Sequence, residues 1–155
     1  MTEEQLITDE ERTTGMGLWT DARDMLAAAK LVCAEPRLAN SSPVFYLAGH
    51  GIEEVFKAFL RCHGHSLKDL KNIGHNLDHA LGAATSHGFE DLFPLTAQDK
   101  AMIGRLNVYY KAKHFEYRVT GTQTLPQPQD LISLGERMLG SIKGVCEASV
   151  GVVRT

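Results

Sequence analysis

Apolar side chains along this chain recur three and four residues apart, the period of a helical face, and no segment keeps the two-residue alternation of a half-buried strand. The pattern predicts five helices. The first runs from about Asp21 to Ala34 with Thr20 as its cap. It places Trp19, Ala22, Leu26, Ala29 and Cys33 on one face, and Pro36 stops it. The second takes Ser42 as N-cap and Pro43 at the first helical position, where a missing N–H costs nothing. It buries Ala48, Ile52, Val55, Phe56 and Phe59 and closes at Gly64, while Glu53, Glu54, Lys57 and Arg61 read as its solvated flank. A polar loop from His63 to Ile73 follows.

The third helix turns Leu77, Ala80, Leu81 and Ala84 inward and ends near Gly88. The fourth opens on a weak capping box, Thr96 to Asp99, and presents Ile103, Leu106 and Tyr110. It extends to about Val119, before Gly121 and the proline-rich TLPQPQ break it. The fifth, from Asp130 to about Val150, carries Leu131, Leu134, Met138, Ile142, Val145 and Ser149 at helical spacing. Gly49 and Gly51 fall inside a helical pattern, which suits close helix packing better than a phosphate loop.

Five striped helices with short connections make an all-α, antiparallel helical bundle. Residues 1–18 are expected to form an acidic tail or a short extra helix, and 19–155 one helical domain. A chain of 155 residues can bury a core without metal or disulfide support. Its net charge of −3 supplies no global field toward nucleic acid or an anionic membrane, so any such contact needs a local basic patch. Cys33, Cys62 and Cys146 are odd in number and far apart in sequence, which predicts free thiols in a reducing compartment. The N-terminal MTEEQLITDEERTTG lacks a signal-peptide pattern, and no apolar run approaches about 20 residues. A cytoplasmic protein with no membrane contact is expected.

From Ser41 to Ala84, SSPVFYLAGHGIEEVFKAFLRCHGHSLKDLKNIGHNLDHALGAA, a long amphipathic helix leads through a polar loop to a helix opening at Gly74-His75-Asn76-Leu77. Downstream come Leu106-Asn107-Val108-Tyr109-Tyr110 and His114-Phe115-Glu116-Tyr117-Arg118. This order resembles the HEPN family (higher eukaryote and prokaryote nucleotide-binding domains) over roughly Trp19 to Val150. The resemblance implies a homodimer with a shared cleft near the fourth helix. It also implies a nucleotide or RNA ligand or a nucleotidyltransferase-like protein partner, with no cofactor.

Many family members are metal-independent ribonucleases, some of them toxins or phage-defence effectors, marked by an arginine, four to six residues, and a histidine. No arginine here has that spacing. Arg105 and His114 are eight residues apart in the interval, and on a continuous helix nine steps turn roughly 180°, carrying the side chains to opposite sides. A non-catalytic binding module is therefore expected. A ribonuclease using Arg105 and His114 is the alternative, and a purely structural dimeric adaptor, with Tyr109 or Tyr110 at its seam, the third.

Candidate chemistry concentrates in Arg105 to Arg118, RLNVYYKAKHFEYR. A helix throughout would put Tyr110, His114 and Tyr117 on one facet, with Lys111, His114 and Arg118 on an adjoining strip. Cations bind phosphate oxygens, aromatic rings stack on bases, and histidine moves protons near neutrality. The expected ligand-binding residues are thus Arg105, Asn107, Tyr110, Lys111, His114, Tyr117 and Arg118. His75 and His79 stand one turn apart, a spacing that could hold a metal with His63 or His65 nearby, but the segment lacks the zincin glutamate. In the resemblance His75 is a structural helix-start residue, and no metal is expected.

Overall fold

The computed structural model describes residues 9–115 and 124–151 of the chain. Among these, a helical turn over 9–12 precedes α1 (Gly15–Cys33), α2 (Ser42–Cys62), α3 (Leu67–Ile73), α4 (Leu77–Ser86), α5 (Phe89–Leu92), α6 (Ala97–Tyr110) and α7 (Pro128–Gly151). No strand occurs among the described residues, so the chain is an all-α bundle.

Close approaches fix the helix directions. Gly15 meets Cys62 and Gly51 meets Leu26, so position numbers fall on α2 as they rise on α1: the two run antiparallel. Trp19 donates its indole N–H to the carbonyl of Leu139 at 2.8 Å, while Leu26 seats on Gly135, so α1 and α7 are antiparallel too. A Cβ on Gly51 would lie 2.7 Å from the Leu26 side chain, and one on Gly135 equally close, so only glycine at both positions leaves room for that leucine between α2 and α7. On the opposite side of α2, a Cβ on Gly49 would come 2.6 Å from the Tyr110 ring. The glycines expected to serve helix packing do so.

Most of the circumference of α2 is covered. It packs on α1, α4, α6 and α7, and Val44, Ala48, Ile52, Val55, Phe56, Ala58 and Leu60 are fully buried. A helix enclosed in this way has no broad solvent face for its polar residues. Glu53 and Glu54 are accordingly buried, at 2% and 4% exposure, rather than forming the solvated flank expected of them.

Three element boundaries differ from the pattern. Helix α1 begins at Gly15, where Thr14 Oγ1 accepts from Gly17 N, six residues before Asp21. The segment expected to be a loop from His63 to Ile73 contains α3, opened by a reciprocal capping box between Ser66 and Asp69. Only Leu70 of α3 is buried, too little for a stripe to be seen. Helix α6 stops at Tyr110 instead of running to Val119, and residues 111–115 are turns in which Lys113 takes a positive φ of 60°. There the amide of His114 returns to the carbonyl of Tyr109.

The N-terminal segment is tied down by Arg61. Its guanidinium donates to the Thr13 carbonyl at 2.7 Å, to the Glu10 carboxylate and backbone carbonyl, and to the His65 carbonyl. Glu10 in turn accepts from the Leu67 amide. The three cysteines are free, as the sequence predicts, although Cys62 and Cys146 bring their sulfurs within 3.3 Å. No helix among the described residues is long and apolar enough to cross a membrane.

Candidate functional site

The polar residues of α2 form one row. His50, Glu53, Glu54 and Lys57 lie at steps of three, four and seven, on a single stripe of the helix. At its centre, Glu53 Oε1 accepts from Tyr110 Oη at 2.7 Å and from His75 Nδ1 at 2.8 Å, while Oε2 accepts from Lys57 Nζ at 2.7 Å. Lys57 also donates to the carbonyl of Gly74 at 2.8 Å, which holds the bend between α3 and α4 and thereby aims His75. Burial pushes the Glu53 carboxyl up. The Lys57 ammonium and the hydrogen bonds from Lys57, His75 and Tyr110 outweigh that, and hold it below the usual carboxylate range. Glu53 is therefore ionised.

One residue along, Glu54 behaves oppositely. Its side chain is 5% exposed, and neither carboxylate oxygen receives an aligned hydrogen bond. The neighbours are His50 Nε2, 2.5 Å from Oε1, and the carboxyl of the exposed Asp21 on α1. Burial pushes Glu54 up to about 7; His50 opposes the rise and Asp21 adds to it. Contact with Glu54 raises His50 in turn, against its own burial. Imidazole and carboxyl thus titrate as a pair, holding one shared proton near neutrality.

The pair has a consequence for stability. Between about pH 5 and 7 the folded chain binds the Glu54 and His50 protons more tightly than the unfolded chain does, so stability falls as pH rises through that window. The Glu53 contribution has the opposite sign and is lost only below the ordinary carboxyl value of 4.5. Thermal melts of wild type from pH 5 to 7 should therefore show a falling Tm, and Glu54→Gln should flatten the slope. Parallel slopes in the two proteins would remove the shared proton.

Among the described residues, those expected to bind ligand do not gather into one surface. Tyr110 is buried at 5% exposure inside its own subunit, and its ring edge lies 6.2 Å from His75. It completes the Glu53 cluster and does not sit on an open seam. Asn107 is buried as well. Its Oδ1 accepts from the Leu77 amide at 2.8 Å, and its Nδ2 donates to Asn76 Oδ1 and Asp78 Oδ2, so it clamps the start of α4 to α6. Arg105 and Lys111 are exposed, and neither makes a side-chain hydrogen bond or ion pair among the described residues.

Arg105 lines a groove with Met102, Leu125, Pro126, Gln127 and Asp130. His114 instead packs near Tyr109, ring centroids 5.7 Å apart, with its Nδ1 buried and unbonded. Among the described residues no hydrogen bond or ring contact joins Arg105 to His114. Because α6 ends between them, the opposite-sides geometry of a continuous helix does not apply. Tyr117 and Arg118 lie outside the described residues. His75 pairs with Glu53, whereas the side chain of His79 is exposed and makes no contact with it.

Sequence reasoning passed over Asp21 and His50 and placed Glu53 and Glu54 on a solvated flank. The available signal was the near-complete apolar wrap of α2, Val44-Phe45 through Phe59-Leu60, which leaves the row from His50 to Lys57 little water to face. No family model matches the chain, and neither curated proteins nor solved structures give a match.

Proposed function

We propose that the chain is a non-catalytic, HEPN-like binding module, homodimeric, that takes a nucleotide or RNA and works beside a nucleotidyltransferase-like partner. The observation that carries this reading is the meeting of His75 and Tyr110 on Glu53. The three segments on which the resemblance rests are the long second helix, the His-Asn-Leu helix start and the aromatic-rich helix. They converge on one carboxylate, so their joint order has a structural reason.

The ligand half of the reading is supported by Arg105, Lys111 and Lys113. All three are exposed and without an ion-pair partner among the described residues, in a chain of net negative charge. Phosphate contacts of this type need cations free to exchange counterions. The absence of a hydrogen bond or ring contact between Arg105 and His114 supports binding over cleavage.

Fluorescence anisotropy with labelled single-stranded RNA and a labelled nucleotide, at low and moderate salt, tests the proposal. Binding should weaken with salt, and Arg105→Glu with Lys111→Glu should reduce affinity about tenfold or more while lowering the salt slope by roughly 2. RNA should stay intact in EDTA throughout. No binding of either ligand at low salt overturns the ligand half. Degradation by wild type that His114→Ala abolishes would shift the reading to a metal-independent ribonuclease.

A further inference from the structure

Beyond the reading above, and independent of it, the geometry points to a divalent transition-metal site formed by Asp21, His50 and Glu54. One ligand atom from each residue lies within 4.8 Å of the others. The site is built rather than a chance acidic surface. Glu54 is 95% buried by the 5% exposure of its side chain, its oxygens receive no aligned hydrogen bond, and it faces the His50 imidazole and the Asp21 carboxyl. Once the proton shared with His50 is lost, the buried carboxylate lacks the compensation that buried charges require. A bound cation supplies it.

The orientation of His50 suits a ligand role. Its Nδ1 faces Tyr110 Oη at 3.4 Å, and that hydroxyl already donates to Glu53, so it can accept the Nδ1 hydrogen. A metal would then take the Nε2 lone pair by displacing the proton that lies between Nε2 and Glu54. Metal-bound histidines typically hold their second nitrogen in this way, here through Tyr110 back to the ionised Glu53. The fixed cation of the row, Lys57, sits on Glu53, so only the titratable His50 faces Glu54 and Asp21. One imidazole and two carboxylates favour a first-row ion over magnesium or calcium, which prefer all-oxygen sites.

A second grouping, His50, Glu53 and His75, also has ligand atoms within reach of one another. Glu53 there is already satisfied by an ammonium and two further donors. A divalent ion would have to displace the ammonium, so the Asp21 side is favoured. Binding carries one geometric demand. Ligands about 2.0 Å from a tetrahedral zinc stand about 3.3 Å apart, so His50 Nε2 and Glu54 Oε1 must separate from their present 2.5 Å. The exposed Asp21 leaves the site open to solvent.

The test is zinc binding by the full chain, by isothermal titration and by metal analysis after dialysis, with cobalt absorption as a spectroscopic check. Wild type should hold about one equivalent of zinc. Asp21→Asn, at an exposed position where folding is undisturbed, and Glu54→Gln should each weaken zinc affinity about tenfold or more. Asp24→Asn and His75→Asn should leave it within about twofold, and circular dichroism should show all four variants folded. Absence of zinc uptake at about 100 μM by wild type overturns the site, as does wild-type affinity in Asp21→Asn. Loss confined to His75→Asn would equally reject Asp21 as a ligand.

Discussion

Glu53→Ala should destabilise the fold by about 3–5 kcal/mol, the cost of leaving one member of a buried ion pair without the other. The side chains of Glu53 and Lys57 are 3% and 12% exposed, so water cannot replace the missing carboxylate. The ammonium would keep only the Gly74 carbonyl and the Tyr110 hydroxyl would lose the Glu53 acceptor, while the half-exposed His75 can turn to water. Glu53→Gln should cost less, because an amide oxygen can still accept from Tyr110 while the charge attraction disappears. Removing both charges together, as Glu53→Leu with Lys57→Met, should recover a large part of the loss. Urea unfolding followed by circular dichroism measures all three. A loss under about 1 kcal/mol for Glu53→Ala would mean that the carboxylate is effectively solvated. Acid has a related effect on wild type: because Glu53 is held below 4.5, its contribution is complete above that value and fades as pH falls through the lowered one.

The same residue shows why the fold was more legible than the site. Helical period depends on the side chains that touch the core, and those on α1, α2, α6 and α7 repeat often enough to be read. Ala22, Leu26 and Ala29 on one face, or Leu131, Leu134, Met138 and Ile142 on another, are buried where the pattern puts them. Elements with a single anchor escape it. Helix α3 offers only Leu70 and α5 only Phe89. The end of α6 was overrun for a related reason, since RLNVYYKAKHFEYR contains no glycine or proline and its aromatic spacing continues past Tyr110.

Glu53 and Glu54 illustrate a different failure. Charge is a sound guide to exposure on a helix with a solvent face, but α2 is surrounded, and nothing local to Glu53 reveals that α6 will deliver Tyr110 and the α3–α4 bend His75. Asp21 is equally opaque: its closeness to Glu54 depends on the antiparallel register of α1 and α2, which Gly15–Cys62 and Gly51–Leu26 set. Asn107, expected among the ligand-binding residues, is instead buried. Its partners are the backbone of Leu77 and the side chains of Asn76 and Asp78, which no spacing within α6 foretells.

Phe89→Ala should cost about 3–5 kcal/mol, although the residue belongs to a helix of four residues. So short a helix has no stability of its own, because nucleation is never repaid by propagation. It exists because Gly88, at a φ of 89°, reverses the chain after α4 and sets Phe89 into the core. There the ring meets Phe56 and Phe59 edge-on, each with centroids 5.2 Å away, at 68° and 85°. Both partners lie on the central helix, so the cavity left by alanine opens against α2 itself and weakens the whole bundle. Denaturant unfolding should accordingly shift its midpoint without a change in m-value. Phe89→Leu, which retains most of the volume, should recover more than half of the loss. The contrast with Glu53→Ala separates packing from chemistry. Phe89 contributes no polar atom to the row from His50 to Lys57, so folded Phe89→Ala protein should keep the pH 5 to 7 slope assigned to Glu54 and His50. If that slope vanished with the phenylalanine, the shared proton would depend on the rigidity of α2 rather than on the local contact of the two side chains.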